Sequence, residues 1–347
     1  MNDRPKVDNR VNVAVVGCGY WGPNLIRDFA QIPDARLYAI CDLDADRLAP
    51  YAGRYPEARL ERDLNLLLQD PALDALVIAT AAPSHYRLVS QALAAGKHVY
   101  VEKPMTLMVE HAEALAQESE EQDRILMVGH LLEYHPAVDY IKQYIDRGEI
   151  GDLLYIYTHR LNLGKIRRDE SALWSLAPHD ISVVGYLIGE TPLQVSAVGQ
   201  SYLQEGVEDL VFVYLHYSGN RVAHIHVSWL DPHKIRKITV VGSKKMIVFD
   251  DMEASEKIRI YDKGFDVATA KFVSEEESIR IRNGDILIPH ISSAEPLLQE
   301  CAQFIRAIQT GVSPRSDARD GLRVVQVLAA AEHSLKNGGH PVTLTPR

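Results

Sequence analysis

Glu102-Lys103-Pro104 sets a lysine directly before a proline at the end of a predicted strand, Lys97 to Glu102. A lysine there can hold a hydroxyl oxygen through its ammonium charge or, with a lowered pKa, act as a base. Leu176-Ala177-Pro178-His179-Asp180 opens a predicted helix that runs to Gly189, with Ile181, Val184 and Leu187 or Ile188 on its apolar face. Histidine titrates near neutral pH, so His179 is a candidate acid–base group. A His-Asp pair at a helix start can also be a simple cap, and His130 and His135 fit structural roles equally well. No pair among the 14 histidines has zinc-ligand spacing on one helix face, so no metal is expected. Lys165, Arg167 and Arg168 form the densest cationic run of the chain, between Leu163 and Leu173. Such a run is either a solvated loop or a grip for phosphate oxygens, which arginine pairs bidentately.

The elements that must position these groups begin with Val11 to Val16, an apolar β-branched run of the kind found in buried parallel strands. It breaks into Gly17-Cys18-Gly19-Tyr20-Trp21-Gly22, a helical pattern follows from Pro23 to Gln31, and a second strand, Ala35 to Cys41, ends on Asp42. Strand, G-x-G-x-x-G turn, helix, strand and a placed acid together form a dinucleotide fingerprint. Gly17 permits the tight turn, Gly19 lets the backbone approach a pyrophosphate, and Gly22 lets the helix lie close to the strand. The pyrophosphate then meets the positive helix N-terminus. Asp42 suits the adenosine ribose hydroxyls and repels a 2′-phosphate, so NAD is expected rather than NADP.

Predicted helices at Ala45–Arg54, Asp63–Gln69, Pro83–Ala95 and Met108–Gln122 alternate with predicted strands at Asp74–Thr80, Lys97–Glu102 and Ile125–Gly129. The alternation describes a doubly wound parallel sheet, whose ligands bind beyond the carboxyl ends of the strands. Ala79 to His85, Glu102 to Pro104 and Gly129 to Pro136 therefore line one predicted crevice. Beyond about residue 150 the pattern becomes strand after strand: Leu153–Leu161, Leu193–Val198, Leu210–Tyr217, Arg221–Trp229, Ile235–Val241 and Met246–Phe249. Amphipathic helices follow at Pro296–Thr310 and Asp320–Leu335.

The expected fold class is α/β, an N-terminal Rossmann doubly wound parallel sheet joined to a C-terminal α+β domain with a large open, mostly antiparallel sheet. The expected domains are a flexible tail over 1–10, a dinucleotide-binding domain over 11–135, and a substrate-binding and oligomerisation domain over 136–347. The last helices are free, in this reading, to pack back on the first domain. A length of 347 residues suits two such cores. The net charge of −10 argues against nucleic-acid binding, and no apolar stretch is long enough to span a membrane. Three cysteines without C-x-x-C spacing and a polar N-terminus without a signal-peptide core point to a cytoplasmic location.

Taken together, the glycine turn, Ala79-Thr80 with Pro83 and His85, Glu102-Lys103-Pro104, the His179 helix and Pro296 to Leu328 resemble the glucose-fructose oxidoreductase / inositol dehydrogenase (Gfo/Idh/MocA) family. The resemblance spans residues 11 to about 340. It implies hydride transfer between a nicotinamide cofactor and a sugar or cyclitol carbon, and a homodimer or homotetramer formed through the C-terminal sheet. It implies that Gly17, Gly19, Tyr20, Trp21, Gly22, Asp42, Thr80, Pro83, His85, Glu102 and Lys103 bind NAD. Lys103 matches the lysine that touches both nicotinamide and substrate, and His179 the usual acid–base histidine. The chain departs from the family pattern at Ser175 and Ser182, where aspartate is common, which leaves Asp180 or Lys103 to support His179.

Gly129 to Pro136, with Trp174 and Pro178-His179-Asp180-Ile181-Ser182, resembles the branch acting on nucleotide-linked amino sugars, UDP-N-acetylglucosamine 3-dehydrogenases being the nearest match. That resemblance implies a 3-keto nucleotide sugar made for amino-sugar biosynthesis of the lipopolysaccharide or lipid A type. Tyr134, His135, Lys165, Arg167, Arg168, Trp174, His179 and Asp180 would then line the substrate site with Lys103. The rival readings are a dehydrogenase of a UDP-sugar uronate or a free cyclitol, and an inactive NAD-binding regulator. NAD is expected to bind more tightly than NADP, and Asp42→Ala to narrow the gap by about tenfold, ~1.4 kcal/mol. Titration of both cofactors against parent and variant measures this, and equal affinities in the parent contradict it.

Overall fold

The computed structural model describes residues 9–164, 170–267 and 279–344. Its contacts divide the chain into two units, Met1–Tyr134 with Ala294–Val325, and His135–Ser293 with Gln326–Arg347. The first unit holds strands β1 (Val11–Val16), β2 (Ala35–Cys41), β3 (Arg59–Glu61), β4 (Ala75–Ile78), β5 (His98–Val101) and β6 (Leu126–Val128). They form one parallel sheet in the order β3-β2-β1-β4-β5-β6. Both faces of such a sheet are covered at its centre, so the inner strands are largely apolar rather than alternating, while the edge strand β3 (Arg59-Leu60-Glu61) is not. All four residues of β4 are buried, as are five of the six in β1.

Six helices connect these strands: α1 (Gly22–Phe29), α2 (Ala45–Leu48), α3 (Tyr51–Arg54), α4 (Leu64–Leu68), α5 (His85–Ala94) and α6 (Val109–Glu121). The single helix expected over Ala45–Arg54 is broken, because Pro50 stands at the N-cap of α3 and cannot donate into a continuous ladder.

The second unit opens with α7 (Pro136–Asp146), β7 (Leu153–Leu161) and α8 (Ala172–Ile188). Strands β8 (Gln194–Gln200), β9 (Leu210–His216), β10 (Val222–Ser228), β11 (Ile235–Gly242), β12 (Met246–Asp250), β13 (Ile258–Val267) and β14 (Ile279–Leu287) follow. With β15 (Val342–Thr343) they make a nine-stranded sheet, ordered β14-β13-β12-β11-β7-β10-β9-β8-β15. Only β7 and β10 pair in parallel; every other neighbouring pair is antiparallel. Helix α8 lies against β7, β9 and β10 on one face. On the other face, Phe212 of β9 stacks across the strands on His226 of β10 at 4.3 Å, and Tyr155 stacks on Tyr157 along β7 at 6.1 Å.

The chain returns to the first unit with α9 (Pro296–Thr310), and α10 (Ala318–Lys336) carries residues of both units. In the first core Phe29 of α1, Tyr100 of β5 and Phe304 of α9 meet edge to face, with ring centroids 5.9–6.2 Å apart. Ala294–Val325 thus serve the parallel-sheet unit although the second unit's His135–Ser293 lies between them and the rest of it in sequence.

Several elements escaped the sequence reading: α7, β3, β13, β14 and β15. One boundary also moves. The helix expected to open around Leu176 begins at Ala172, so Pro178 and His179 lie inside it and His179 is no helix-start cap. Proline marks helix starts more often than interiors. Here Ala172, Leu173, Trp174, Ser175 and Ala177 are all buried, and that burial extends the helix upstream of the proline.

Gly22 is the tightest point of the first unit, because a Cβ there would stand 1.9 Å from the carbonyl oxygen of Gly17. Gly22→Ala is expected to cost about 2 kcal/mol or more of stability and at least about tenfold in NAD affinity. Gly53→Ala, whose Cβ meets nothing within 4 Å, is expected to leave both nearly unchanged. Denaturant unfolding and cofactor titration of the two variants decide this.

Candidate functional site

The first unit builds a turn fit for a dinucleotide. Gly17 sits at φ +99°, and a Cβ on it would press within 2.9 Å of Ala79. Gly19 is open: only the Arg47 guanidinium, at 3.8 Å, comes near its Cβ position. Helix α1 starts at Gly22, with Trp21 as N-cap and no side chain capping its first N–H groups. Pro23 has no N–H and the Asn24 N–H donates to the Trp21 carbonyl at 3.0 Å, so the Gly22 N–H is the donor left for an anion at this start. Asp42 ties the turn together, one carboxylate oxygen accepting the Cys18 N–H at 2.7 Å and the other the Asp44 N–H at 2.9 Å. Each oxygen keeps a lone pair for a ribose hydroxyl. Tyr20 is 87% exposed.

Beyond the carboxyl ends of β4 and β5, two loops are joined by His85. Its ring nitrogens face the carbonyls of Pro104 at 2.8 Å and Thr80 at 3.0 Å, and its side chain is buried. Burial holds its pKa below the usual 6.5. A neutral ring donates to one of the two carbonyls, and the contact fixes the loop that carries Lys103. Pro83 lies in the 3₁₀ turn Ala82–Ser84, where the Ser84 and Thr80 hydroxyls are 2.7 Å apart. The Lys103–Pro104 peptide is cis.

Glu102 accepts a hydrogen bond from the Trp21 side chain and lies beside Lys103. Burial pushes its pKa from an ordinary 4.5 up to about 7, against the pull of the Lys103 ammonium, the Lys103 N–H, His130 and Trp21. Tyr134 is buried within this unit, with its hydroxyl 2.9 Å from that of Ser316 and the Arg315 guanidinium 4.9 Å from its ring centre.

In the second unit, His179 is half-buried on α8, with Trp174 and Ser175 buried one turn earlier. Asp180 points into the unit and accepts from Arg160 Nε of β7 at 2.5 Å. Both partners are buried, so this carboxylate is committed to an ion pair. Ser182 Oγ donates to the His179 carbonyl at 3.2 Å. His135 is the N-cap of α7, its Nδ1 accepting the Ala137 N–H at 3.0 Å. Lys165, Arg167 and Arg168 lie outside the described residues.

The structure thus gathers the turn, Asp42, Thr80, Pro83, His85, Glu102 and Lys103 in one unit. It gathers Trp174, His179 and Asp180 in the other, and gives Tyr134 and His135 packing and capping partners. Arg160, the partner of Asp180, went unnoticed in the sequence. A lone arginine beside His159 in a strand pattern carries no local signal of a contact 20 residues on.

Two family models match the chain. One, an oxidoreductase family with an NAD-binding Rossmann fold, covers residues 11–130, and the other, a GFO/IDH/MocA C-terminal domain, covers residues 138–248. The UDP-N-acetylglucosamine 3-dehydrogenase of Acidithiobacillus ferrooxidans is 26% identical over 92% of this chain and 95% of its own. The scyllo-inositol 2-dehydrogenase (NAD(+)) of Bacillus subtilis is 25% identical over 96% of each chain. Among solved structures, an oxidoreductase from Magnetospirillum magnetotacticum superposes with a TM-score of 0.79 at 28% identity, covering 93% of this chain and 99% of that one.

Glu102 makes the site unit sensitive to pH. A carboxyl whose pKa rises on folding stabilises the fold below its unfolded value, and that contribution is lost as pH climbs through the folded value. For Glu102 the window is 4.5 to about 7. Glu102→Gln is expected to gain on the parent in unfolding temperature as pH rises across this window. Paired melts at several pH values check this, and a constant difference contradicts it.

Proposed function

Because the chain belongs to the Gfo/Idh/MocA family of NAD-binding oxidoreductases, we propose that it oxidises a sugar hydroxyl to a ketone, the 3-hydroxyl of UDP-N-acetylglucosamine in particular. The observation that carries the reading is the cradle at Gly17, Gly19 and Gly22 with Asp42 behind it. The open Gly19 backbone and the uncapped start of α1 fit a pyrophosphate, and Asp42 fits the ribose. Bound NAD supplies the hydride acceptor.

The remaining work falls to side chains. Lys103 donates to the substrate oxygen and stabilises the charge that develops on it as the carbon gives up its hydride. His179 takes the hydroxyl proton, as a group titrating near neutral pH can. His85 holds the Lys103 loop, and the Arg160–Asp180 pair anchors α8 beside His179. Lys165, Arg167 and Arg168 are assigned to the substrate diphosphate. The same reading puts the enzyme in the cytoplasm as a homodimer or homotetramer joined through the nine-stranded sheet. Among the described residues no helix is long and apolar enough to cross a membrane.

The nucleotide sugar is supported by the Acidithiobacillus relative and by the Trp174 and Pro178 to Ser182 pattern. A free cyclitol is the second reading, because the Bacillus scyllo-inositol enzyme is as similar over as much of the chain. Incubation with NAD and either UDP-N-acetylglucosamine or scyllo-inositol, followed by the absorbance of reduced cofactor, separates the two. Reduction with neither leaves a UDP-sugar uronate as substrate or the inactive NAD-binding regulator. Lys103→Ala and His179→Ala are each expected to lower kcat by a factor on the order of 10² or more, with NAD affinity nearly unchanged. A fully active His179→Ala variant would place the base elsewhere.

A further inference from the structure

A buried group of side chains in the first unit lies outside every role assigned so far. His130 follows β6, Glu133 stands three residues later in the 3₁₀ turn Leu131–Tyr134, and Asp320 lies in the first turn of α10. Their side chains are 1%, 1% and 5% exposed. His130 Nδ1 is 2.6 Å from Asp320 Oδ2 and 3.6 Å from Glu133 Oε1. One donor atom from each residue lies within 4.8 Å of the other two. Two carboxylates thus face one imidazole in a place closed to water, and burying charge without balance is costly.

The Glu133 carboxylate is the second observation. Neither of its oxygens has a hydrogen-bond partner among the described residues, although both are fully buried. Leaving such a group unpaired costs about 1–3 kcal/mol, more when it is charged. The far oxygen of Asp320, by contrast, is occupied by Arg323 at 3.0 Å.

We infer that His130, Glu133 and Asp320 form a site for a divalent transition-metal ion, held by His130 Nδ1, Asp320 Oδ2 and both oxygens of Glu133. One neutral imidazole and two carboxylates balance a double positive charge. The mixed nitrogen and oxygen set suits zinc or manganese. In a tetrahedral zinc site with bonds of about 2.1 Å, ligand atoms stand ~3.4 Å apart. The separations of 2.6 and 3.6 Å from His130 bracket that spacing and the Asp320 and Glu133 donor atoms lie within 4.8 Å of each other, so filling the site asks for side-chain adjustment of roughly 1–1.5 Å. Arg323 then orients Asp320 from behind. The ion would tie the turn after β6 to α10, a structural role independent of the proposed reaction.

The test uses the full-length protein without an affinity tag. It is stripped with chelator, exposed to zinc or manganese chloride, desalted, and submitted to elemental analysis and thermal unfolding. The expected result is about one ion per chain and an unfolding temperature raised by about 4 °C or more. Glu133→Gln keeps the shape while removing one charge, and is expected to bind zinc at least ~100-fold more weakly with its metal-free stability close to the parent's. Less than about a tenth of an ion per chain after loading, with no thermal shift, overturns the inference and leaves the cluster balanced by shared protons. Full retention of the ion by Glu133→Gln overturns it as well. Should that variant not fold, titration of the parent against a zinc-chelating dye decides the matter alone.

Discussion

The closest approach of backbone to backbone in the first unit governs how it can be used. Where β1 turns into α1, the Gly22 Cα faces the Gly17 carbonyl so closely that no side chain fits between them. Helix α1 can therefore start directly at the strand end, with no side chain capping its first turn. Asp42, at the end of the neighbouring strand, reaches back to the Cys18 N–H and holds the turn in that shape. One carboxylate thus shapes the cradle and offers lone pairs to what the cradle holds. Any change that lets the turn relax loses both functions together.

The lysine loop is held by buried polar contacts as well as by the buried Pro104 and Met105. His85 lies between two carbonyls that belong to different loops, and Glu102 is caught between Trp21 and Lys103. Beneath them Tyr100 donates to the buried Glu300 of α9 at 2.9 Å. Contacts of this kind are strong when complete and costly when one partner is lost. They specify one loop position, which the role proposed for Lys103 requires.

In the second unit the corresponding device is the Arg160–Asp180 ion pair. Burying such a pair gains little net stability, but removing one partner strands the other charge at a cost of about 3–5 kcal/mol. The pair joins β7 to α8 at the residue next to His179, so it fixes the rotation of the helix that presents the histidine. This gives Asp180 a physical task in a chain that carries Ser175 and Ser182 where the family pattern commonly has aspartate.

Much of this was legible in the chain itself. The parallel-sheet unit was readable because its signals are local: continuous apolar strands, a glycine turn demanded by one close approach, and an acid placed at the next strand end. Strands β7 to β12 of the second unit were readable from turn residues and spacing, and β13, β14 and β15 were not. Other features were decided only by tertiary structure. Whether Pro178 starts a helix or lies inside one depends on the burial of Ala172 to Ala177, which no local pattern reports. The pairing of Asp180 with Arg160, and of His130 with Asp320 190 residues away, depends on which elements fold together. Sequence periodicity shows which face of an element is apolar; which polar group meets which within that interior is settled by three-dimensional packing, because a buried charge takes whatever partner the fold brings within reach.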